Sequence, residues 1–168
     1  MAYKIYTQEN FYSQADIDAA EKVWPQGEVD AAFRKYRDAV DVGDHETMAS
    51  MLSDDGRGGN ATFGLFHDRV SYKGFLTSFW QEIIPNHSVW IATDKGRVLN
   101  RWCEVLPGTP PEGDRYDYFG INEVIYNGNG QFRLMFSTPD LFGLQVLYKK
   151  WVADAQVEKY GDIYPGLA

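Results

Sequence analysis

This chain places tyrosine, histidine and asparagine residues beside apolar ones. Their side chains could move a proton or stabilise a negative charge. Tyr36 lies on an apolar helical face, so its hydroxyl either packs in the core with a hydrogen-bond partner or donates to a ligand oxygen. In His67-Asp68, a neutral imidazole beside a carboxylate could act as a general base near neutral pH. Adjacent strand residues point to opposite faces, so Asp68 would not orient His67, and a solvated loop histidine is the alternative.

A second group of polar side chains lies in a hydrophobic hairpin, residues 119–140 (FGINEVIYNGNGQFRLMFSTPD). Residues 127–130 (NGNG) form a strong turn signal between two strand-like runs. The first run carries Asn122 and Glu123 among apolar and aromatic residues. Because an unpaired buried polar group costs about 1–3 kcal/mol, these side chains either form a satisfied structural network or line a site.

The elements that must position these residues begin with helices. Capping residues and apolar spacings of three and four predict helices at residues 14–24, 28–42, just after Asp44, 73–84 and 144–157. The predicted N-caps of the first, third and fourth helices are Ser13, Asp44 and Ser71. Residues 54–60 (DDGRGGN) are predicted to be a polar loop that lacks the ending of a phosphate-binding motif.

Strands follow the helices, and their period of two begins near His87. The strands are predicted at residues 61–66, 88–93, 97–106, 116–126 and 132–138. Helices followed by an antiparallel meander indicate an α+β fold.

The two longest predicted strands pair through a proline-rich loop. A register that sets Leu106 opposite Tyr118 predicts an Arg101–Glu123 cross-strand ion pair on one face. The other face then carries the side chains typical of a small-molecule pocket: Asn100, Trp102, Glu104, Tyr118, Asn122 and Tyr126. A one-residue slip would exchange the two faces.

Composition limits the classes of function. The net charge of −8 argues against a nucleic-acid surface, which needs clustered Lys and Arg. Aromatic residues make up 15% of the chain, which favours a hydrophobic cavity or an apolar interface over a plain packed core. Three scattered histidines lack metal-binding spacing, and no nucleophile motif occurs, so we expect neither a metal nor another cofactor.

Cysteine usage and hydropathy bear on the compartment. The single cysteine, Cys103, excludes an internal disulfide framework and is predicted to be a buried, inert thiol in a reducing compartment. The chain start lacks the apolar core of a signal peptide, and no run approaches transmembrane length. We therefore expect a cytoplasmic protein that binds no membrane.

Four motifs follow one another along the chain: Tyr36 seven residues before Gly43-Asp44, then Leu52-Ser53-Asp54-Asp55, Lys73-Gly74-Phe75-Leu76 and the NGNG turn. In this order the chain resembles the nuclear-transport-factor-2-like superfamily over roughly residues 28–155, especially its SnoaL-like branch of polyketide cyclases and ketosteroid isomerase relatives. The resemblance implies a curved antiparallel sheet wrapped around N-terminal helices into a cone with an internal hydrophobic pocket. It also implies a homodimer formed through the sheet.

This resemblance gives expected domain boundaries. Residues 1–27 would form an N-terminal arm and short helix, residues 28–157 a single cone domain, and residues 158–168 a C-terminal tail.

The resemblance also implies roles for residues. Tyr36 falls on the oxyanion-binding tyrosine of ketosteroid isomerases, and Asn122 falls on their protonated aspartic acid. Their proton-shuttling aspartate would fall between residues 60 and 65, where this chain has no carboxylate; this argues against ketosteroid isomerisation itself. The nearest possible bases are His67 and Asp68.

Arg101 and Asp140 could match part of the Asp-Arg-Asp arrangement of limonene-epoxide-hydrolase-like members. The predicted catalytic residues are Tyr36, His67, Asp68, Asn122 and Asp140.

The predicted substrate-binding residues are Phe33, Phe66, Trp80, Trp102, Tyr118 and Met135. They favour a cofactor-independent lyase, dehydratase or isomerase that acts on a hydrophobic cyclic or aromatic small molecule. A carrier that binds such a molecule without chemistry is the first alternative, and an assembly protein whose aromatic residues form an interface is the second. The order of elements cannot choose among the three, because one fold hosts many functions.

Overall fold

The computed structural model describes residues 11–61, 63–79, 86–113 and 115–164. Most of the predicted N-terminal arm and the position of Trp80 therefore lie outside the described residues. The helices are α1 (Gln14–Glu21), α2 (Gln26–Asp41), α3 (His45–Ser50), α4 (Arg69–Phe79), α5 (Leu141–Ala153) and α6 (Gln156–Tyr160). The strands are β1 (Leu52–Asn60), β2 (Gly64–Phe66), β3 (Asn86–Asp94), β4 (Arg97–Leu106), β5 (Tyr116–Gly128) and β6 (Gln131–Pro139).

The strands form one curved, open sheet, which confirms the α+β class. Within the described residues its order is β2-β1-β6-β5-β4-β3. The expected antiparallel pairing holds for every neighbouring pair except β1 and β6, which run parallel. The sheet is therefore mixed. Among the described helices, none is long and apolar enough to cross a membrane.

Strand β1 occupies the segment predicted to be a polar loop, so that prediction was wrong. Its glycines allow other parts of the chain to approach the strand closely. The local sequence gives no signal of these contacts. A Cβ atom on Gly58 would lie 2.5 Å from the Tyr72 ring, and one on Gly59 would lie 2.0 Å from the carbonyl oxygen of Gly64. Gly58 thus lets α4 pack onto the sheet, and Gly59 lets β2 pair beside it.

The register of β4 with β5 is shifted by two residues from the prediction. Leu106 pairs with Tyr116 rather than with Tyr118, and Arg101 pairs with Ile121. The predicted Arg101–Glu123 ion pair was therefore wrong. Because side chains on a strand alternate with period two, a shift of two residues keeps each on its predicted face.

The two partners of that predicted pair have other contacts. Glu123 forms an ion pair with Arg97, whose Nε lies 3.1 Å from the carboxylate oxygen. Arg101 is exposed, and its guanidinium lies 5.1 Å from the centre of the Phe119 ring. Both groups thus belong to the outer face of the sheet, away from the pocket face.

Helix α1 covers part of that outer face. Its predicted N-cap is confirmed, because Ser13 forms a reciprocal capping box with Asp16. The apolar cluster beneath the helix contains Phe11, Ala19, Ala20, Ile125 and Leu134. The Asp16 carboxylate is 1% exposed and accepts hydrogen bonds from Arg57 and Arg133, which fixes the helix to the sheet.

The C-terminal region differs from the single helix predicted there. Ala155 adopts a left-handed conformation with φ of 58° and separates α5 from α6. Beyond α6, Ile163 is buried in a cluster with Trp102 and Trp151. The chain after α6 thus folds back against β4 and α5.

Candidate active site

A cavity of about 650 Å³ lies between the inner face of the sheet, helices α2, α4 and α5, and the chain after α6. Its volume falls within the usual range of small-molecule pockets, about 300–1,000 Å³. Aromatic and uncharged polar side chains dominate its wall, including Tyr36, Tyr72, Phe75, Trp102, Tyr118, Asn122, Met135 and Tyr164. Such a wall suits a largely apolar ligand with a few polar groups.

Glu104 on β4 places a carboxyl group on the wall of this cavity. Asn86 donates a hydrogen bond from Nδ2 to one carboxyl oxygen at 2.7 Å, and the Tyr118 hydroxyl donates to the other oxygen. Burial raises the pKa of Glu104 to about 7, while the Asn86 hydrogen bond and the positive charge of Arg37 act in the opposite direction. A carboxyl group with this pKa can both accept and return a proton near neutral pH.

Arg37 on α2 fixes the orientation of Asn86. Its guanidinium donates to the Asn86 side-chain oxygen and to the Asn86 backbone carbonyl, both at 2.8 Å. Because arginine can only donate, the Asn86 oxygen must face Arg37, which leaves the amide NH₂ to face Glu104. Asp41 accepts a further hydrogen bond from Arg37 at 3.1 Å.

Asn122 and Trp102 form a hydrogen-bonded pair on the same face of the sheet. The indole N–H of Trp102 donates to the Asn122 side-chain oxygen at 2.9 Å. This contact turns the amide oxygen toward Trp102, so the group that Asn122 can offer to a ligand is its NH₂ donor.

Tyr36 and Tyr72 form a second pair, and the hydroxyl group of each affects the pKa of the other. Burial raises the pKa of Tyr36, and the negative charge of Glu104 raises it further. Burial also raises the pKa of Tyr72 well above its ordinary value. Both side chains therefore remain neutral hydroxyl groups, and Tyr36 lies within electrostatic reach of Glu104.

Solved structures with the same arrangement of elements bear on the fold. An LEH-like epoxide hydrolase from M. tuberculosis aligns with 81% of this chain and 98% of its own, at 16% identity and a TM-score of 0.57. A protein from Jannaschia sp. CCS1 described as a SnoaL-like polyketide cyclase aligns with 72% of this chain and 91% of its own, at 11% identity and a TM-score of 0.59. The fold is that of the NTF2-like proteins.

A third NTF2-like structure agrees with these two. A protein from Kribbella flavida DSM 17836 described as a ketosteroid isomerase aligns with 67% of this chain and 78% of its own, at 16% identity and a TM-score of 0.55. No protein-family model matches the sequence, and no curated protein sequence does. The likeness therefore confirms the predicted NTF2-like fold and leaves the activity to the chemistry of the cavity.

Five of the predicted site residues lie together on the wall of the cavity: Tyr36, Trp102, Tyr118, Asn122 and Met135. Phe33 instead packs in the core and borders a separate surface groove between α2 and β3. Phe66 stacks on Phe75, with ring centres 5.0 Å apart, and is not among the residues that line the cavity. The catalytic and binding roles given to these residues remain predictions.

His67, Asp68 and Asp140 are exposed, and none belongs to the described wall of the cavity. Asp68 accepts hydrogen bonds from the backbone and hydroxyl of Ser71, both at 2.8 Å, which lower its pKa. It therefore caps α4, and the prediction that Ser71 is the cap was wrong. Asp140 similarly caps α5 by accepting from the Gly143 backbone at 2.9 Å. Within the described residues, no group of three or more His, Cys, Asp and Glu side chains could hold a metal ion.

Sequence reasoning did not single out Glu104, Arg37 and Asn86 as functional residues. Glu104 was assigned to the correct face by strand alternation, which was the signal available for it. Arg37 and Asn86 are 49 residues apart in sequence, and their contact has no local signature.

Proposed function

We propose that this protein is a cofactor-independent enzyme that moves a proton on a neutral, hydrophobic, cyclic or aromatic small molecule, as an isomerase, dehydratase or other lyase. The observation that carries the proposal is the Glu104 carboxyl group, which has a pKa of about 7 and faces a cavity lined by aromatic rings and neutral hydrogen-bond donors. A general base works best when its pKa lies near the working pH.

The proposed reaction begins when ionised Glu104 removes a proton from a carbon atom next to a substrate carbonyl group. The electron pair of that C–H bond moves onto the carbonyl oxygen and forms an enolate. Tyr36 and Asn122 donate hydrogen bonds to this oxygen, which they can do because one is a neutral hydroxyl and the other has a free NH₂. Where a carbon–carbon double bond is conjugated with the enolate, Glu104 then returns the proton to the far carbon of that system, which completes an isomerisation. Where the carbon next to the enolate carries a hydroxyl group, Glu104 gives the proton to that group, which leaves as water and completes a dehydration.

The wall of the cavity favours a neutral substrate. Among the described lining residues Arg37 is the one cation, and it already donates to Asn86 and Asp41. An anionic substrate would therefore meet the carboxylate of Glu104 without a free positive charge to balance it. Aromatic residues on several sides would hold flat rings and exclude water, which strengthens hydrogen bonds to the reacting oxygen.

The fold supports the proposal only in a general way. Proteins with the same fold are described as an epoxide hydrolase, a ketosteroid isomerase and a polyketide cyclase. Each description applies to that protein alone, and the low identities assign no role to a residue of this chain. A carrier that binds a similar molecule in the same cavity without reaction is the competing proposal.

The test combines a ligand screen with an isosteric variant. Neutral steroids, terpenoids, polyketides and aromatic ketones are screened for a rise in melting temperature, since a binder stabilises the folded state. Each binder is then incubated with protein in D₂O and recovered for mass and NMR analysis. Deuterium incorporation or a rearranged product supports an enzyme. Unchanged, undeuterated ligand from every binder would support the carrier and overturn this proposal.

Glu104→Gln keeps the shape of the side chain but removes the proton acceptor. We expect this variant to bind the same ligand with deuterium exchange reduced by about 10²-fold or more. Glu123→Gln is the matched control, because Glu123 lies on the neighbouring strand but faces the opposite side of the sheet. It should exchange deuterium at the native rate.

We also propose that the protein forms a homodimer through the outer face of the sheet and that it is cytoplasmic, as its single cysteine favours. Helix α1 covers only part of that face, and Trp90 and Ile121 remain 44% and 45% exposed beside Arg101. Ile121→Lys would add a second cation to each copy beside Arg101 and should convert the dimer to a monomer in sedimentation experiments. A native protein that sediments as a monomer would contradict the proposal.

A further inference from the structure

The four residues that follow α6, residues 161–164, form a strap along one side of the cavity. Asp162, Ile163 and Tyr164 all line the cavity wall, and Ile163 is 4% exposed. The strap lies within residues 158–168, the segment that was predicted from sequence to be a C-terminal tail. Its residues are therefore in a position to act on the proposed site.

The strap is fixed by Tyr148 of α5, whose side chain is fully buried and stacks on Trp151. The Tyr148 hydroxyl donates to the Asp162 carboxylate and accepts a hydrogen bond from the Tyr164 backbone N–H at 3.2 Å. The rings of Tyr148 and Tyr164 also meet edge to face, with centres 5.7 Å apart. Backbone and ring contacts thus hold the Tyr164 side chain in one place.

From that place Tyr164 reaches the hydrogen-bond network of Glu104. Its hydroxyl oxygen lies 2.7 Å from the hydroxyl oxygen of Tyr118, which donates to Glu104. A tyrosine hydroxyl has a single proton, and Tyr118 gives its proton to the carboxylate. Tyr164 must therefore be the donor to Tyr118 whenever Glu104 is ionised.

We infer that Tyr164 is a positioning residue for Glu104: its hydroxyl polarises Tyr118, strengthens the Tyr118 hydrogen bond to the carboxylate, and so controls the pH at which Glu104 can accept a proton. The inference rests on the proposed function only where it concerns a reaction rate; the expected effect on the titration of Glu104 does not depend on it. Consecutive hydrogen bonds strengthen one another by about 10–30% per bond. Removal of the Tyr164 hydroxyl should therefore weaken the stabilisation of the ionised carboxyl group.

Other groups also face Glu104 and must stay unchanged in the test. Arg37 and Tyr36 act from α2 and Asn86 from β3. Asp162 of the strap lines the same cavity and accepts a hydrogen bond from Tyr148. Tyr164→Phe preserves the ring that packs on Tyr148 and removes only the hydroxyl oxygen. It leaves these four groups in place.

The experiment is a ¹³C NMR titration of the Glu104 carboxyl carbon in the full chain without any ligand. In the Tyr118→Phe variant we expect Glu104 to titrate about one pH unit above its native value, because the charged carboxylate loses a hydrogen bond. In Tyr164→Phe, Glu104 should titrate about 0.3 pH unit above its native value, because the Tyr118 hydrogen bond loses the strengthening that Tyr164 supplies. The double variant should match Tyr118→Phe alone, because Tyr164 acts through Tyr118.

Tyr160→Phe is the control, since Tyr160 lies on α6 with its ring against Trp151 and does not line the cavity. It should titrate at the native pH. A second measurement places 3-fluorotyrosine at position 164; its hydroxyl is a stronger donor, so Glu104 should titrate below the native pH. Opposite shifts from the two changes at position 164 would establish the relay. A Glu104 titration that neither change moves would overturn it.

The ligand-free titration separates this inference from the proposed function. If no ligand is ever converted but Tyr164→Phe still shifts the titration, the inference stands and the proposed enzyme activity fails. If conversion occurs and its pH profile is the same in native protein and Tyr164→Phe, the activity stands and the inference fails. If both hold, the rising limb of the rate profile should move to higher pH by the same amount as the titration.

Discussion

Trp102 and Asn122 hold each other in position on neighbouring strands, because the indole N–H donates to the Asn122 side-chain oxygen at 2.9 Å. Both side chains are almost fully buried, with exposures of 3% and 7%. The contact determines which end of the Asn122 amide faces the cavity. An amide held in this way can stabilise a negative oxygen without first rotating, which is the arrangement expected of an oxyanion donor.

Trp102→Phe tests this contact. The variant keeps an aromatic ring but leaves the Asn122 amide free to turn, so turnover should fall by about 10-fold, less than on loss of the donor itself. The unfolding free energy should fall by about 1–3 kcal/mol. Trp24→Phe is the control, because it also removes an indole hydrogen bond, to the Ala19 carbonyl, at a distance from the cavity. Equal turnover losses in both variants would contradict the role of Asn122.

Gly120 lies opposite Trp102 in the register of β4 and β5. A Cβ atom at this position would lie 2.1 Å from the Trp102 ring, so the ring must move if the glycine is replaced. Gly120→Ala should lower the unfolding free energy by about 1–3 kcal/mol, the usual cost of overpacking. It should also weaken ligand binding by displacing a wall of the cavity.

Gly74→Ala provides the opposite control for Gly120→Ala. Gly74 lies in α4, and a Cβ atom there meets nothing within 4 Å. Alanine favours a helix by about 0.8–1.0 kcal/mol over glycine, so this variant should be more stable than the native protein in urea denaturation. Destabilisation by both substitutions would indicate a general intolerance of added volume rather than a specific conflict with Trp102.

The faces of β4 and β5 could be predicted from sequence although the register could not. Alternation of polar and apolar residues fixes which side chains share a face, and the error of two residues in register left those faces unchanged. Strand β1 was missed for a different reason. Its glycines are needed for contacts with Tyr72 and Gly64, which only the folded chain brings close, whereas locally they resemble a loop.

The residues of the candidate site were likewise predicted from sequence only in part. Tyr36 and Asn122 were selected from sequence and lie on the cavity wall. The raised pKa of Glu104 could not be read from its neighbours in sequence, because it depends on burial and on Arg37 and Asn86 from other elements. Properties set by contacts distant in sequence are those that local patterns miss.

Asp16 is predicted to be essential for the attachment of α1. Its buried carboxylate is shared by Arg57 and Arg133, and removal of one charge from such a buried group leaves the others unbalanced. Asp16→Asn should lower the unfolding free energy by about 3 kcal/mol in urea denaturation. Asp18→Asn on the exposed side of the same helix should change it by less than about 0.5 kcal/mol. Similar losses for the two variants would show that the arginine contacts of Asp16 contribute little.

Tyr36→Phe is predicted to separate binding from chemistry. The ring remains in the core, but the hydroxyl proposed to donate to the developing negative charge is lost, so turnover should fall by about 10²-fold with little change in ligand affinity. Tyr72→Phe should cause a smaller loss, since the Tyr72 hydroxyl acts on the site only through its influence on the pKa of Tyr36. Stopped-flow binding and steady-state rates on the same ligand provide the two readouts. Native turnover in Tyr36→Phe would exclude the tyrosine as an oxyanion donor.

Glu104 should make the stability of the fold depend on pH in an unusual direction. Its pKa is about 7 in the folded protein, against an ordinary value of 4.5. Between these two pH values the folded state holds a proton that the unfolded state has lost, so the unfolding free energy falls as pH rises. The full difference corresponds to about 3 kcal/mol. Most carboxylates that gain partners on folding have the opposite effect, because their pKa is lowered.

Urea denaturation of the native protein and of Glu104→Gln at pH values on either side of this window measures the effect. Glutamine cannot ionise, so the variant should lack the loss of stability that the native protein shows between pH 5 and pH 8, an expected difference of about 2–3 kcal/mol. Asp55→Asn, at a carboxylate whose pKa is lowered by its hydrogen bond to Arg133, should leave the native decline in place. Parallel pH profiles for the native protein and Glu104→Gln would show that the cavity leaves the Glu104 carboxyl group with an ordinary pKa, and would remove the basis for its role as the base.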